Sequence, residues 1–259
     1  MNTIFALAVV VIKELYRRKD FYVLFVMTAV ITLLMAGAAL FKDEKITGVL
    51  KEICFLLIWI SGLVIAVATA ARQIPTEREN RTIYPLLAKP VTRAQIVAGK
   101  FLGCWLACGG ALLIFYAFLG VVIASLDHAL PFANYLEAAW MQWMFLAIVI
   151  AAALWGSLVF PATSSNVTFC LVVVLLLLLL GRQLSGLAIS QMEPLRSTIY
   201  AVYFLLPHFE WFNLKDYVIA NTGTAGGVFC LLGSLYAAAY AGFFLLGTWL
   251  SFQRRTLTV

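Results

Sequence analysis

Charged residues are scarce in this sequence. Asp, Glu, Lys and Arg make up 12% of its 259 residues, whereas 64% are hydrophobic. A soluble domain has about a quarter of its residues charged, because water must wet its surface. The composition therefore excludes an ordinary soluble protein and indicates an integral membrane protein. The net charge of +6 does not indicate nucleic acid binding, since the basic residues flank apolar runs of about 20 residues, the length that crosses a bilayer.

The sequence also lacks a disulfide framework. All five cysteines lie inside apolar runs, where cysteine behaves as a small hydrophobic residue. Cys104 and Cys108 share a helix face, but no His or carboxylate accompanies them within the run. Core packing is therefore favoured over a metal site, and we predict no metal site in the chain.

Long apolar runs are abundant and predict an all-α membrane protein, a single transmembrane domain over residues 1–259. The predicted spans are 21–40, 53–71, 101–125, 140–160, 167–181 and 228–252. Residues 138–180 carry no charge, and as one helix they would be about 64 Å long, twice the hydrocarbon thickness. We therefore predict a turn at Pro161–Asn166 and leave open an extension of span 5 past Arg182.

The charge pattern predicts an orientation in the membrane. Apolar residues recur at helical spacing between Ile4 and Leu15, and basic residues follow. This pattern predicts an amphipathic elbow helix in the interface before span 1. Twelve of the 18 Lys and Arg residues lie in the N-terminal segment, the 72–100 loop or the tail. The positive-inside rule then places both termini and this loop in the cytoplasm of a multi-pass protein, for which we expect a bacterial inner membrane.

Two capping boxes divide the loop between spans 2 and 3. Thr76–Glu79 and Thr92–Gln95 each predict a helix start, and Pro75 and Pro90 precede them as stops. We expect a short helix between two bends, with the Leu86-Leu87 pair exposed among charges. From these residues alone two interpretations stay open, a basic loop that binds anionic headgroups and a docking element for a cytoplasmic partner.

The same loop carries a recognisable signature. Its stretches are Glu77-Arg78-Glu79-Asn80-Arg81-Thr82, Leu86-Leu87-Ala88-Lys89-Pro90-Val91-Thr92-Arg93 and Gly99-Lys100-Phe101-Leu102-Gly103. Together they resemble the signature of the ATP-binding-cassette type 2 exporter permeases. Arg81 departs from the pattern, since many members carry Gly there. The resemblance implies that the loop forms a coupling helix, which binds a separate cytoplasmic ATPase subunit.

The resemblance also implies a composition for the complex, in which two permease copies, expected to be a homodimer, bind two ATPases that hold ATP and Mg. The implied docking residues are Glu77, Glu79, Arg81, Thr82, Leu86, Leu87, Pro90 and Arg93. This chain lacks a phosphate-binding loop of its own, because its Gly99-Lys100 pair has no Ser or Thr after the Lys and no Gly five residues before it. We therefore predict no cofactor in this chain and no enzymatic activity of its own.

Aromatic residues crowd the stretch before span 6, for which we predict an interfacial or re-entrant segment. One interpretation is an aromatic belt at the outer interface, and the other, which the resemblance suggests, is an outer gate or partner-binding segment. The candidate residues are Tyr203, Phe204, Pro207, His208, Phe209, Glu210 and Trp211. A metal site from His208 and Glu210 with His128 is less favoured.

These features predict the permease of an exporter. The clean spans carry no Asp, Glu or His that could couple transport to protons or sodium, which disfavours a secondary carrier or channel. In the family the pathway would lie between two copies, and Val172–Val174 in span 5 offer nothing to a hydrophilic solute. We therefore expect a hydrophobic or amphipathic substrate. The alternative is a membrane subunit that passes ATPase-driven motion to an extracytoplasmic partner, for example in metalloenzyme maturation, without moving a solute.

Overall fold

The computed structural model describes most of the chain. The described residues are 2–17, 44–79, 92–127, 132–160, 162–190, 195–219 and 223–254, with isolated positions such as Met192 besides. Predicted span 1, residues 21–40, and the loop segment 80–91 lie outside these ranges. His128 lies outside them as well.

Every regular element in the described ranges is a helix, which confirms the all-α class. The elements are α1 (Asn2–Arg17), α2 (Glu44–Glu79), α3 (Arg93–Asp127), α4 (Phe132–Val159), α5 (Thr163–Ser190), α6 (Leu195–Leu205), a 3₁₀ turn (Phe209–Phe212), α7 (Lys215–Ile219) and α8 (Gly227–Arg254). Four of the described helices are long and apolar enough to cross a membrane. They are Lys51–Glu77, Arg93–Val121, Phe132–Val159 and Gly227–Arg254, and Thr163–Leu179 is a shorter apolar helix.

Helix α4 lies at the centre of the bundle and contacts α2, α3, α5 and α8. Its residues Phe145, Leu146, Ile148 and Ile150 are fully buried. A helix that is apolar on all sides can be surrounded by other helices without leaving a polar face unsatisfied. The apolar composition of α4 is compatible with this central position.

Small residues let the helices approach closely, as expected for a bundle in lipid, where van der Waals packing drives association. Ala66 and Ala70 on α2, and Ala237 and Ala241 on α8, are all buried. A Cβ added at Gly233 would lie 2.5 Å from Cε of Met141 on α4. These small residues therefore pack within the chain.

One buried amide links three helices near the same level. Gln142 on α4 accepts a hydrogen bond from the Tyr116 hydroxyl of α3 at 2.8 Å. Its Nε2 donates to the Ile58 carbonyl oxygen of α2 at 3.4 Å. Because an unpaired amide would be costly to bury, these bonds let a polar side chain occupy the core.

The predicted helix start at Thr76 is wrong. Helix α2 continues without a break through Pro75 to Glu79, whereas α3 begins at Arg93, as the second capping box predicts. Pro75 cannot donate to the Ala71 carbonyl, and its ring crowds that carbonyl. Burial of this turn, with Ile74 at 3% exposure, nevertheless holds the helix together. Packing therefore overrides the local stop signal.

The predicted turn between spans 4 and 5 is confirmed in place but is shorter than expected. Helix α4 ends at Val159 and α5 begins at Thr163, so Asn166 belongs to a helix. The Asn166 Nδ2 donates to the Ala153 carbonyl oxygen at 3.0 Å. The Asn166 side chain fills the space beside Gly156, where a Cβ would clash with it. Helix α5 also extends past Arg182 to Ser190.

Candidate functional site

One end of the bundle carries the ends of the loop that contains the signature. The buried side chains of Ile74, Val97, Leu158 and Phe252 form a cluster there. These residues come from the end of α2, the start of α3, the end of α4 and the end of α8. We call this the Arg93 end, and residues 80–91 connect α2 to α3 at it.

The first turn of α3 is capped as the sequence predicts. The Thr92 hydroxyl accepts a hydrogen bond from the Gln95 backbone N–H at 3.3 Å, and the Gln95 Oε1 accepts one from the Thr92 N–H at 3.0 Å. Both bonds satisfy backbone donors that a helix start leaves unpaired. This capping box is confirmed and fixes where the loop ends.

Arg93 joins the start of α3 to the end of α8. Its Nη1 donates to the carbonyl oxygens of Phe252 at 2.5 Å and Gln253 at 3.0 Å. The guanidinium carbon also lies 5.4 Å from the centroid of the Phe252 ring. The last carbonyls of a helix lack helical partners and carry partial negative charge, so a guanidinium stabilises them.

Lys100 joins the first turns of α3 to the end of α2. Its Nζ lies 2.8 Å from Oε1 of Glu77 and donates to the Gln73 carbonyl oxygen at 2.8 Å. The Lys100 side chain is 3% exposed and that of Glu77 is 30% exposed. A buried ammonium is tolerated only with such partners. Both ends of the 80–91 loop are therefore tied to the bundle by charged side chains.

Helix α1 packs against the same part of α3. A Cβ added at Gly99 would lie 2.7 Å from Cβ of Leu7, and one added at Gly103 would lie 2.7 Å from Cβ of Val11 and 2.9 Å from the carbonyl oxygen of Ala8. Two glycines four residues apart on one helix face permit this approach. The start of α3 thus contacts α1, α2 and α8 together.

The aromatic segment, residues 203–212, reaches the middle of the bundle. Phe209 and Phe212 are buried, and their ring centroids lie 5.0 Å and 6.3 Å from that of Phe145. Phe145 is close to the midpoint of the 28-residue helix α4. The segment therefore packs into the bundle and does more than line its surface.

His208 holds the segment to α8. Its backbone N–H donates to the Tyr236 hydroxyl at 2.9 Å, and its Nδ1 lies 3.1 Å from the same hydroxyl oxygen. The rings of Tyr203 and Trp211 lie against the imidazole, with centroids 4.2 Å and 5.5 Å away.

A cavity of about 380 Å³ lies between α4, α5, α8 and the aromatic segment, and we call it the α4–α5 cavity. Its lining includes Ile148, Ala152, Trp155, Val173, Phe209 and Phe244. Pro207 also lines it, so two residues of the aromatic segment close one side. The space is of the size that proteins use for small ligands, about 300–1,000 Å³.

Residues 16–257 match the family described as ABC-2 family transporter protein. The chain belongs to the ABC-2 family. No curated protein matches the sequence. Because the match covers nearly the whole chain, it confirms the resemblance of the loop signature to this family. ABC-2 membrane proteins are permease subunits that work with a separate ATPase subunit.

The predicted ABC-2 docking residues fall into two groups. Glu77 and Arg93 bond within the chain, to Lys100 and to the end of α8, and Glu79 is the last residue of α2. The others lie outside the described residues. They are Arg81, Thr82, Leu86, Leu87 and Pro90.

Most predicted residues of the aromatic segment are brought together. Tyr203, His208 and Trp211 form one stack of rings, while Pro207 and Phe209 line the cavity. Glu210 lies in the 3₁₀ turn, and Phe204 lies in α6, where the backbone alone is described.

The sequence did not predict the bonding of Lys100 or the glycine contact with α1 in this ABC-2 permease. A signal for each was present, since Lys100 begins an otherwise uncharged run and Gly99 and Gly103 share a helix face. The missing information was the identity of the partners, because Gln73 lies 27 residues away in sequence and the whole of α2 lies between α1 and α3.

Proposed function

We propose that this chain and a second copy form the membrane part of an exporter, in which cytoplasmic ATPase subunits bind residues 80–91. The observation that carries the proposal is the pair of charged ties at the ends of that loop, Lys100 to Glu77 and Arg93 to α8. Through these contacts, a movement of the loop displaces the ends of α2, α3 and α8. A loop that only bound headgroups would not need such ties.

The proposed topology has six spans, with both termini and the loop in the cytoplasm. Three observations support it. Helix α1 packs beside Gly99 and Gly103, the loop ends at Thr92, and the last turn of α8 accepts hydrogen bonds from Arg93. All three lie at the Arg93 end, as an even number of spans requires.

The proposed substrate is hydrophobic or amphipathic. The lining of the α4–α5 cavity is apolar, and the spans described in the structure offer no charged chain that a hydrophilic solute would follow. Pockets for small molecules are lined predominantly by hydrophobic and aromatic side chains, so this lining suits a substrate of that class.

The test of docking replaces Leu86 and Leu87 with Asp. We expect the double variant to insert in the membrane but to lose its ATPase subunit on purification, because buried aspartates would disrupt an apolar contact. Leu257→Asp, in the tail assigned to the same side, is the matched control and keeps the subunit. Co-purification of the double variant with an active ATPase would overturn the docking assignment.

A second candidate is transmission of motion to an extracytoplasmic partner. Met192 and Leu195 are 88% and 53% exposed before and at the start of α6, and a partner could cover them. Vesicles that contain only the permease and ATPase discriminate the two candidates. Movement of a fluorescent phospholipid on addition of ATP favours the exporter, whereas ATP hydrolysis without movement of lipid or other solute favours the transmitter.

A further inference from the structure

The α4–α5 cavity has no polar atom to offer a ligand among the described residues that line it. The Trp155 Nε1 donates to the Ser251 Oγ at 3.1 Å, and the Cys170 thiol donates to the Asn166 Oδ1 at 3.4 Å. The remaining lining side chains are aliphatic, aromatic or proline. Water needs two to four polar partners to occupy a buried site, so this cavity excludes ordered water.

An empty apolar cavity of this size is unfavourable, because its walls lose their dispersion contacts. Cavities of about 150 Å³ with similar walls already take up benzene, and this one is about 380 Å³. Hydrocarbon is the one solvent that surrounds a transmembrane bundle in large excess. The cavity therefore favours a hydrocarbon occupant.

The mouth of the cavity faces the side of the bundle. Val159 at the end of α4 and Phe169 near the start of α5 line the cavity and are also 53% and 52% exposed. Val159 belongs to a helix that is long and apolar enough to cross a membrane, and Phe169 belongs to a shorter apolar helix. A ligand would enter sideways from the bilayer, near the Arg93 end.

The length of the cavity matches one leaflet. Its lining runs along α4 from Ile148 to Val159, which at 1.5 Å per residue is about 17 Å. Half of the hydrocarbon core is about 15 Å thick. Its inner limit is Phe209 of the aromatic segment, which packs on Phe145 near the midpoint of α4.

We propose that the α4–α5 cavity binds one acyl chain of a membrane phospholipid, which enters between α4 and α5 and ends against Phe209. The inference stands apart from the export function, since it concerns binding without nucleotide. It makes the aromatic segment a part of the lipid site, because Pro207 and Phe209 form its inner wall.

The test uses the full chain in vesicles of phosphatidylcholine that carries a photoreactive diazirine near the end of one acyl chain, without ATPase. After irradiation, we expect label on the cavity-lining part of α5, residues 169–177, and on Phe209. Ala152→Phe places a ring in the cavity, so labelling there falls by about fivefold or more. Ala239→Phe, on the exposed face of α8, is the matched control and changes this labelling little.

Unchanged labelling of residues 169–177 in Ala152→Phe would overturn the proposal. Labelling of every exposed helix in proportion to its exposure, with none on Phe209, would overturn it too, because that is the pattern of bulk lipid.

A second measurement needs no cavity-filling variant and applies even if Ala152→Phe fails to fold. Phospholipid with brominated acyl chains quenches the fluorescence of nearby tryptophan side chains. The contribution of Trp155 is the difference in fluorescence between the unaltered chain and Trp155→Phe. We expect stronger quenching of Trp155 than of Trp140, which is 42% exposed but does not line the cavity. Quenching of Trp155 that is equal to or weaker than that of Trp140 would contradict an acyl chain in the cavity.

Discussion

A buried lysine in a membrane bundle shows how one residue depends on distant partners. Lys100 is 3% exposed, and its ammonium contacts the Glu77 carboxylate and the Gln73 carbonyl. Local sequence identified the neighbouring capping box at Thr92, since both of its bonds lie within four residues. It could not identify the partners of Lys100, because the capping pattern at Thr76–Glu79 assigned Glu77 to a helix start that does not exist.

Lys100→Met is therefore expected to destabilise the chain by about 2–3 kcal/mol, since it removes the cation that faces a largely buried carboxylate. The measurement is the unfolding temperature in detergent. Adding Glu77→Gln should recover part of the loss, because it removes the carboxylate as well.

The control for Lys100→Met is Lys215→Met. Lys215 also pairs with a glutamate, Glu52, at 2.9 Å, but the two side chains are 28% and 55% exposed. Solvent screens such a pair, so its loss should cost less than about 1 kcal/mol. Equal unfolding temperatures for Lys100→Met and Lys215→Met would mean that burial of the Lys100–Glu77 pair has no energetic effect.

At the scale of elements, the contact between α1 and α3 depends on the absence of two side chains. Gly103→Ala would place a Cβ 2.9 Å from the Ala8 carbonyl oxygen and 2.7 Å from Cβ of Val11. Because these are backbone and Cβ atoms, no rotamer change relieves the clash. We expect a loss of about 1–3 kcal/mol from overpacking and faster proteolysis of α1.

Gly110→Ala on the same helix is the matched control, because a Cβ there meets nothing within 4 Å. Alanine favours a helix over glycine by about 0.5–1 kcal/mol, so this variant should melt at or above the unaltered chain. If Gly103→Ala and Gly110→Ala unfold at the same temperature, then α1 does not pack on α3 in this way.

The positions of the helices were predictable from the sequence, because long apolar runs identify them. The residues at which the helices begin and end were less predictable. The runs at 140–160 and 228–252 correspond to α4 and α8, but α4 begins at Phe132, before the apolar run. Polar residues there are paired, since Asn134 Nδ2 donates to the Tyr217 carbonyl oxygen at 3.4 Å and Glu137 Oε2 accepts from the Ala225 N–H at 2.8 Å. Such partners let a helix extend beyond the apolar stretch that identifies it.

At the scale of the whole molecule, α8 connects the two candidate regions. Its end is held by Arg93 through Phe252, and Tyr236 on the same helix holds His208 of the aromatic segment. These two points are sixteen residues apart, about 24 Å along a helix. The sequence indicated both regions separately, but it contained no sign that one helix joins them, because each bond links residues far apart in the chain.

This arrangement predicts that motion at the loop reaches the aromatic segment through α8. In the complex with its ATPase, we expect ATP and vanadate to change hydrogen exchange in residues 203–212, and Arg93→Ala to abolish that change while the ATPase stays bound. The reason is that Arg93 supplies the bonds from the start of α3 to the end of α8. Arg196→Ala is the control, since that guanidinium also lies over a ring, Tyr200 at 5.8 Å, but on α6. A nucleotide-dependent change that survives in Arg93→Ala would exclude α8 as the connection.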